Sequence, residues 1–243
     1  MANIITRNIP NSITCCNLIS GCIAIAFAYE GKQEWALAFI IIGAVFDFFD
    51  GMVARLLHVS SPIGKELDSL ADDITFGAAP AMMVFTFLHQ LPYPDWLDGA
   101  REYLPYVAFL IAAFSALRLA KFNLDERQAL GFIGLPTPAN ALFWGALIAW
   151  TDSLSYVLPS YTLYVVLAML AVSCWLLVAE LPLFALKFKH WGWRGNEVKY
   201  MFLLTSAAMI LLMGILGLAA VIAWYVVLSV LTQRKDALTP IEK

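Results

Sequence analysis

The sequence predicts an all-α protein, a polytopic bundle of about eight transmembrane helices. Hydrophobic residues make up 61% of its 243 residues, charged residues make up 14%, and the mean hydropathy is +0.77. A soluble domain has about 45–50% apolar and about 25% charged residues. The apolar residues form long blocks such as 161–177 and 201–230, and a spanning helix needs about 20 of them. We therefore interpret residues 1–243 as one integral membrane domain.

Hydrophobic runs, and the turn residues between them, define the individual helices. The fifth and seventh predicted helices are short for a full span. Gly214 and Gly217 are weak helix breakers, so the last two helices could instead merge and give seven. The eight predicted helices are Asn11–Tyr29, Glu34–Leu57, Lys65–His89, Tyr103–Lys121, Pro138–Trp150, Tyr161–Leu186, Lys199–Met213 and Ile215–Gln233.

Lysine and arginine predict how the chain is oriented, because they are enriched in cytoplasmic loops. With a cytoplasmic N-terminus, only Lys32 and Arg101 of the 15 basic residues lie outside. Both termini are therefore expected in the cytoplasm of a bacterial or archaeal type of cell, which favours an even number of helices. No basic tract suggests a nucleic-acid partner, and the net charge is −3. The inner set is Arg7, Arg55, Lys65, Arg118, Lys121, Arg127, Lys187, Lys189, Arg194, Lys199, Arg234, Lys235 and Lys243.

Four aspartates lie inside the predicted second and third helices. Asp47 and Asp50 are three residues apart, and Asp68 and Asp72 are four apart, so each pair shares one helix face. Four neighbouring carboxylates cannot all stay ionised unaided, because like charges disfavour one another's ionisation. Either some of them are protonated, or cations lie among them. Oxygen ligands without histidine or cysteine favour Mg²⁺, Ca²⁺ or Mn²⁺ over zinc.

The residues between these aspartates indicate a phosphate-bearing substrate. Gly51, Ala54 and Gly64 leave room for a ligand, and Arg55 offers a planar fork to phosphate. Metal ions beside such a group can stabilise an in-line displacement at phosphorus. A cation transporter is the alternative from another class, since carboxylates inside a membrane also mark ion pathways.

The pattern Asp47-x2-Asp50-Gly51-x2-Ala54-Arg55-x8-Gly64-x3-Asp68-x3-Asp72 resembles the signature of the CDP-alcohol phosphotransferase family at all eight fixed positions. The resemblance implies that family's fold, a CDP-linked donor, attack by a hydroxyl group and release of CMP. It also implies a homodimer.

The same resemblance assigns roles to the individual residues. It makes Asp47, Asp50, Asp68 and Asp72 the ligands of two Mg²⁺ or Mn²⁺ ions, and Asp72 the general base as well. Gly51, Ala54, Arg55 and Gly64 would contact the CDP group. The shorter pattern Pro10-Asn11-x2-Thr14 is similar to the family's first-helix motif, which places Asn11 and Thr14 near the nucleotide.

Further segments resemble the phosphatidylserine synthase branch of this family, which joins CDP-diacylglycerol to L-serine. They are 68–81, 116–123 and 132–138, within a likeness that covers residues 10–138. Arg118, Lys121 and Asn123 are expected to hold serine or phosphate, or else they form only the basic inner end of the fourth helix. Glycerol 3-phosphate or inositol phosphate is the alternative acceptor. Asp73 is interpreted as a neighbour of the metal ligands, not as a ligand.

Overall fold

The computed structural model describes residues 4–59, 61–124, 132–154, 156–184, 192–193 and 195–236. It confirms the predicted all-helical architecture. A short antiparallel pair, β1 (Phe132–Ile133) and β2 (Pro182–Leu183), is added to the helices. The helices are α1 (Ile4–Tyr29), α2 (Gln33–Leu56), α3 (Pro62–Asp72), a π-helical segment (Asp73–Ala78), α4 (Ala79–Gln90), α5 (Leu110–Leu124), α6 (Thr137–Asp152), α7 (Thr162–Val178), α8 (Glu197–Met213) and α9 (Ile215–Asp236), with 3₁₀ turns at Asp95–Ala100 and Leu104–Phe109.

The predicted third helix is one continuous rod made of α3, the π-helical segment and α4. It starts at Pro62, three residues before the predicted Lys65, because Ser61 caps it. The Ser61 hydroxyl accepts a hydrogen bond from the Gly64 backbone N–H at 3.0 Å, and Pro62 suits the first helical turn, where no N–H partner is required. The cap therefore fixes where the residues that lead to Asp68 and Asp72 begin to coil.

The break between the last two helices is present at Gly214. Its φ of +57° is a left-handed value that glycine adopts without steric cost. The merged, seven-helix alternative is therefore wrong. The short fifth and seventh predicted helices are also confirmed, since α6 has 16 residues and α8 has 17.

The predicted sixth helix, Tyr161–Leu186, is wrong at its end. The structure ends α7 at Val178, and Ala179 is extended with ψ 140°. Pro182 disfavours helical backbone just before it, and β2 pairs with β1 instead. The prediction followed hydropathy, which continues through this segment. The predicted fourth helix, Tyr103–Lys121, differs from the structure at its start. There the 3₁₀ turn Leu104–Phe109 precedes α5, which begins at Leu110.

Within the part of the chain that the structure describes, four helices are long and apolar enough to cross a membrane by length and composition. A shorter apolar helix, 162–178, accompanies them. Among the basic residues that predict orientation, Arg127, Lys187, Lys189, Arg194 and Lys243 lie outside the described residues. The four spans are Asn8–Tyr29, Gln33–Leu56, Leu104–Leu124 and Ile215–Thr232.

A close crossing of three elements positions the aspartates. α1 and α2 pack along each other, and the π-helical segment lies against both. Thr75 occupies the crossing, where a Cβ on Gly21 would collide with it and one on Gly43 would lie 2.5 Å from its Cγ2. The Thr75 hydroxyl donates to the backbone oxygen of Asn17 at 3.0 Å. These contacts hold Asp72, three residues earlier, against α1.

Candidate active site

Three of the four predicted metal ligands meet in the structure. One carboxylate oxygen from each of Asp47, Asp50 and Asp68 lies within 4.8 Å of the other two. Asp68 Oδ1 is buried and has no hydrogen-bond partner among the residues that the structure describes. Leaving a buried carboxylate oxygen unpaired is costly, and a hard divalent cation among oxygen ligands removes that cost. The residues present therefore fit a metal site.

Asp72 joins this cluster from the side of α1. Its Oδ1 accepts a hydrogen bond from the Asn17 side-chain amide at 3.2 Å. The Asp47 carboxylate lies within hydrogen-bonding reach of it. Two carboxylates at this separation share a proton or share a cation. Asp72 therefore adds a fourth carboxylate to the cluster, and Asn17 holds it in place.

Thr14 has a more direct contact than its motif predicts. Its hydroxyl donates to Asp50 Oδ2 at 2.6 Å, and both side chains are buried. A charge-assisted hydrogen bond of this kind is stronger than one between neutral groups. Thr14 therefore fixes the orientation of one carboxylate of the cluster while it also lines the adjoining cavity.

That cavity, of about 260 Å³, opens between α1, α2 and α3 next to the carboxylates. A Cβ on Gly64 would lie 3.0 Å from Asn11 Oδ1, so a side chain at position 64 would crowd the space. Five of the six residues predicted to contact CDP line the cavity. Its walls are Pro10, Asn11, Thr14, Asp50, Gly51, Ala54, Val59, Ser61, Gly64, Lys65 and Asp68.

Arg55, the sixth predicted CDP contact, is exposed at the end of α2 and does not line the cavity. Its Nη1 lies 3.7 Å from the position that a Cβ on Gly51 would take. The guanidinium thus folds back towards the cavity along the absent side chain of Gly51. Phosphate at this edge would be within reach of a planar, permanently charged group.

The three residues predicted to hold the acceptor do not share one environment. Arg118 is buried, 8% exposed, and lies close enough to Asp72 for their charges to interact. Among the described residues, none forms a hydrogen bond with its Nε. Lys121 is exposed. Asn123 instead links helices, because its side-chain amide donates to Ser69 Oγ at 2.8 Å and its backbone oxygen accepts from Lys65 Nζ at 3.1 Å.

Sequence reasoning missed Asn17, which is fully buried and holds Asp72. Its spacing was a usable signal, since it lies three residues after Thr14 and six after Asn11, on the same polar side of α1.

Ser115 is a further missed candidate, and it lies beside Asp73, which the sequence already indicates as a neighbour of the metal ligands. Asp73 Oδ1 and Ser115 Oγ are both buried and lack partners among the residues that the structure describes. A Cβ on Gly77 would lie 2.6 Å from Asp73 Oδ1 and 3.1 Å from Ser115 Cβ. Ser115 is also one helical turn before Arg118 on α5. These groups form a second polar cluster beside Asp72, which the local sequence pattern does not predict.

The chain is similar in sequence to several known enzymes. The chain is 40% identical over 131 residues to a CDP-diacylglycerol–serine O-phosphatidyltransferase of Bacillus subtilis, covering 54% of this chain and 69% of that protein. It is 34% identical over 141 residues to a protein of the same name from Mycobacterium leprae, covering 55% and 44%. An archaetidylserine synthase of Methanothermobacter thermautotrophicus is 31% identical over 139 residues, covering 55% and 54%. The match therefore spans about half the length of the last two relatives.

Two of these relatives are named as transferases and the third as a synthase, and none of the names supports a cation transporter. The sequence profile of the CDP-alcohol phosphatidyltransferase family matches residues 7–185, which include most of α1, all of α2 to α7 and the whole carboxylate cluster. The resemblance first seen between Asp47 and Asp72 therefore extends over most of the chain. With its apolar helices and this match, the protein is an integral membrane protein that belongs to the CDP-alcohol phosphatidyltransferase family.

Proposed function

We propose that this protein transfers the phosphatidyl group of CDP-diacylglycerol to L-serine and releases phosphatidylserine and CMP. The observation that carries the proposal is the meeting of Asp47, Asp50 and Asp68 beside a cavity that the signature residues Gly51, Ala54 and Gly64 line. The names of the similar proteins from Bacillus subtilis and Mycobacterium leprae support this donor and this acceptor.

Asp47, Asp50, Asp68 and Asp72 would hold two Mg²⁺ or Mn²⁺ ions. When bound, such ions would supply positive charge to the pyrophosphate and to the departing CMP. The protein contributes the fixed ligands. Thr14 orients Asp50 and Asn17 orients Asp72 through the hydrogen bonds already described, so the carboxylates need little rearrangement to bind cations.

The cavity beside the cluster would hold the cytidine diphosphate group, with Arg55 at its edge. A second, wholly apolar groove of about 400 Å³ supports a lipid donor. It follows the face of α2 that carries Val45, Phe48 and Phe49, next to Asp47 and Asp50, and it reaches Leu142 and Leu218 on α6 and α9. Acyl chains in this groove would leave the pyrophosphate at the carboxylates.

Asp72 would act as the general base. The serine hydroxyl oxygen forms a bond to the β-phosphorus of the donor, and the bond from that phosphorus to the CMP oxygen breaks. The hydroxyl proton passes to the Asp72 carboxylate. A positioned base of this kind contributes typically about 10²–10⁴-fold to the rate. The hydrogen bond from Asn17 holds the Asp72 carboxylate in a fixed orientation beside the cluster.

Arg118 would bind the serine carboxylate. It is a buried cation beside Asp72 whose Nε has no partner in the described chain. Asp73 Oδ1 and Ser115 Oγ, also unpaired there, would accept hydrogen bonds from the ammonium group. Lys121 is exposed and would act from the entrance, whereas Asn123 would hold α3 and α5 together around the pocket.

The site and both termini would face the cytoplasm, as the distribution of lysine and arginine predicts.

α8 and α9 lie beyond the region matched by the family, yet they pack onto it. The Tyr225 hydroxyl on α9 donates to the backbone oxygen of Phe184 at 2.9 Å. This contact supports one membrane domain over residues 1–243. The protein would form a homodimer, as its resemblance to the family implies.

An acceptor screen tests the proposed reaction. Purified protein receives CDP-diacylglycerol with L-serine, glycerol 3-phosphate, inositol phosphate or choline, and CMP release is measured. We expect CMP to appear with L-serine and much less with the other three. Preference for glycerol 3-phosphate would overturn serine as acceptor while leaving the family assignment intact. No release with any acceptor would overturn the transferase proposal itself.

A further inference from the structure

A third cavity, of about 340 Å³, lies between α6, α7 and α9. Its walls are apolar residues such as Phe143, Met169 and Val226, and none of the residues proposed for catalysis lines it. Its volume falls in the range of about 300–1,000 Å³ that is typical of small-molecule sites. Ala168, Val172 and Ala223 on its walls are exposed, so the cavity opens to the surface that surrounds the helices.

One fully buried polar side chain, Asn140, also lines this cavity. It ends a chain of hydrogen bonds between α6 and α7. Trp144 Nε1 donates to Ser173 Oγ at 3.0 Å, and Ser173 Oγ donates to Asn140 Oδ1 at 2.9 Å. An indole N–H can only donate, which makes Ser173 the acceptor of one bond and the donor of the next. The direction of this chain fixes the Asn140 amide with its nitrogen as the terminal group.

That terminal group, Asn140 Nδ2, is buried and finds no acceptor within the described part of the chain. Leaving such a donor unpaired is unfavourable. A ligand that suits this cavity therefore has an oxygen acceptor for Asn140 Nδ2 and is otherwise apolar. A lipid acyl ester combines these two properties. We propose that the cavity binds an acyl chain of a membrane glycerophospholipid, whose ester carbonyl accepts a hydrogen bond from Asn140.

The depth of Asn140 suits an ester carbonyl. It lies three residues after α6 begins at Thr137, about 4.5 Å along the axis, and β1 and the last turn of α7 lie at the same end. Ester groups occupy the boundary between the hydrocarbon core and the polar region of a bilayer. The chain that continues from the ester then lies along Phe143 and Val172, deeper in the cavity.

A comparison of ester-linked with ether-linked phosphatidylglycerol tests the proposal without reference to catalysis. The delipidated protein is exchanged into detergent with either lipid, and retained lipid is counted by native mass spectrometry. We expect the ester lipid to bind about fivefold more tightly, because an ether oxygen is a weak acceptor. Equal retention of the two lipids by the wild-type protein overturns the proposal.

Variants assign this preference to Asn140. Asn140→Leu keeps an apolar cavity and should lose the preference for the ester. Ser206→Ala is the matched control, since Ser206 Oγ on α8 is also buried and unpaired among the described residues but lies outside the cavity. It should keep the preference. Ala223→Phe fills the cavity mouth and should abolish retention of both lipids, and retention there would overturn the location.

A final arm separates bulk phospholipid from the lipid donor of the proposed reaction. Excess CDP-diacylglycerol is added to protein loaded with ester-linked phosphatidylglycerol. We expect the bound phosphatidylglycerol to remain. Its complete displacement from the wild type would show that the donor occupies this cavity and would overturn the assignment to bulk lipid.

Discussion

Buried polar side chains have different surroundings at the two ends of the bundle, although α2 contributes to both ends. At one end, α1, α2 and α3 bring four carboxylates together. At the other end, Gln33 at the start of α2 donates to Thr86 on α4 at 3.0 Å. The separation between Gln33 and Asp47 along α2 is 14 residues, or about 21 Å.

The difference lies in what each end still requires. The Gln33–Thr86 pair is neutral and joins two helices, so its contribution is that of an ordinary hydrogen bond. The carboxylates repel one another, and burial adds to the cost. They are compatible with a stable fold only when cations or protons join them. A cluster of buried charges that needs cations or protons marks the functional end. At the structural end, the Gln33 amide nitrogen is paired and only its neutral Oε1 lacks a partner among the described residues, which costs far less than a group of buried charges.

Metal removal should have the largest effect on activity, and it tests directly whether the carboxylate end requires cations. We expect CMP release to vanish in EDTA and to return with Mg²⁺ or Mn²⁺, because the carboxylates cannot hold a pyrophosphate without cations. The measurement is CMP release after chelation and after metal is added back. Full activity in a metal-stripped assay would show that protons alone neutralise the cluster.

The next largest effect should come from Asp72→Asn. The amide keeps the shape and the hydrogen bond from Asn17 but cannot accept the hydroxyl proton. Turnover should fall about 10²–10⁴-fold, while binding of CDP-diacylglycerol is retained. Asp73→Asn is the matched variant one residue away, and it should raise the serine KM with a smaller change in kcat. Turnover like that of the wild type in Asp72→Asn would make Asp73 the next candidate for the base.

Arg118→Ala should act on the acceptor more than on the donor. Each lost charge-assisted hydrogen bond costs about 1.5–3 kcal/mol, or roughly 10–150-fold in affinity. We therefore expect the serine KM to rise by this order and the KM for CDP-diacylglycerol to change little. Lys121→Ala, which removes an exposed cation on the same helix, serves as the control and should have a smaller effect. Unchanged serine kinetics in Arg118→Ala would remove Arg118 from the acceptor pocket.

Thr86→Val should give the smallest effect, and it tests the structural end. Valine has nearly the same shape but cannot accept the hydrogen bond from Gln33. The free energy of unfolding should fall by about 1 kcal/mol, with kcat and both KM values unchanged. Thermal unfolding in detergent and CMP release measure the two quantities. A kinetic change equal to that of Arg118→Ala would show that the two ends are coupled.

Much of the active end could be predicted from the sequence, because charge inside an apolar helix is rare and its spacing is visible. Asp47, Asp50 and Asp68 were placed together on that basis, and the structure brings them together. Asn17 was missed because a single amide on an apolar helix is usual, and its role depends on Asp72, 55 residues away. Ser115 was missed because a single hydroxyl on an apolar helix is equally usual.

Element ends were less predictable where tertiary contacts decide them. Hydropathy extended the sixth predicted helix to Leu186, but the pairing of Leu183 with Phe132 ends α7 at Val178. The Ser61 cap began the third helix earlier than its apolar run suggested. By contrast, Gly214 was identified correctly, since its backbone conformation is a local property of glycine.

The π-helical segment Asp73–Ala78 also sets a rotational phase between two parts of one rod. Before it, α3 turns Asp68 and Asp72 towards α1 and α2, and after it, α4 turns Met83, Val84 and Phe87 into the core. A wider turn holds one additional residue, and each residue rotates an α-helix by about 100°. A regular α-helix that kept every residue of 73–78 would therefore turn α4 by about 100° relative to α3. The apolar face of α4 and the two carboxylates could then no longer reach their own neighbours at the same time.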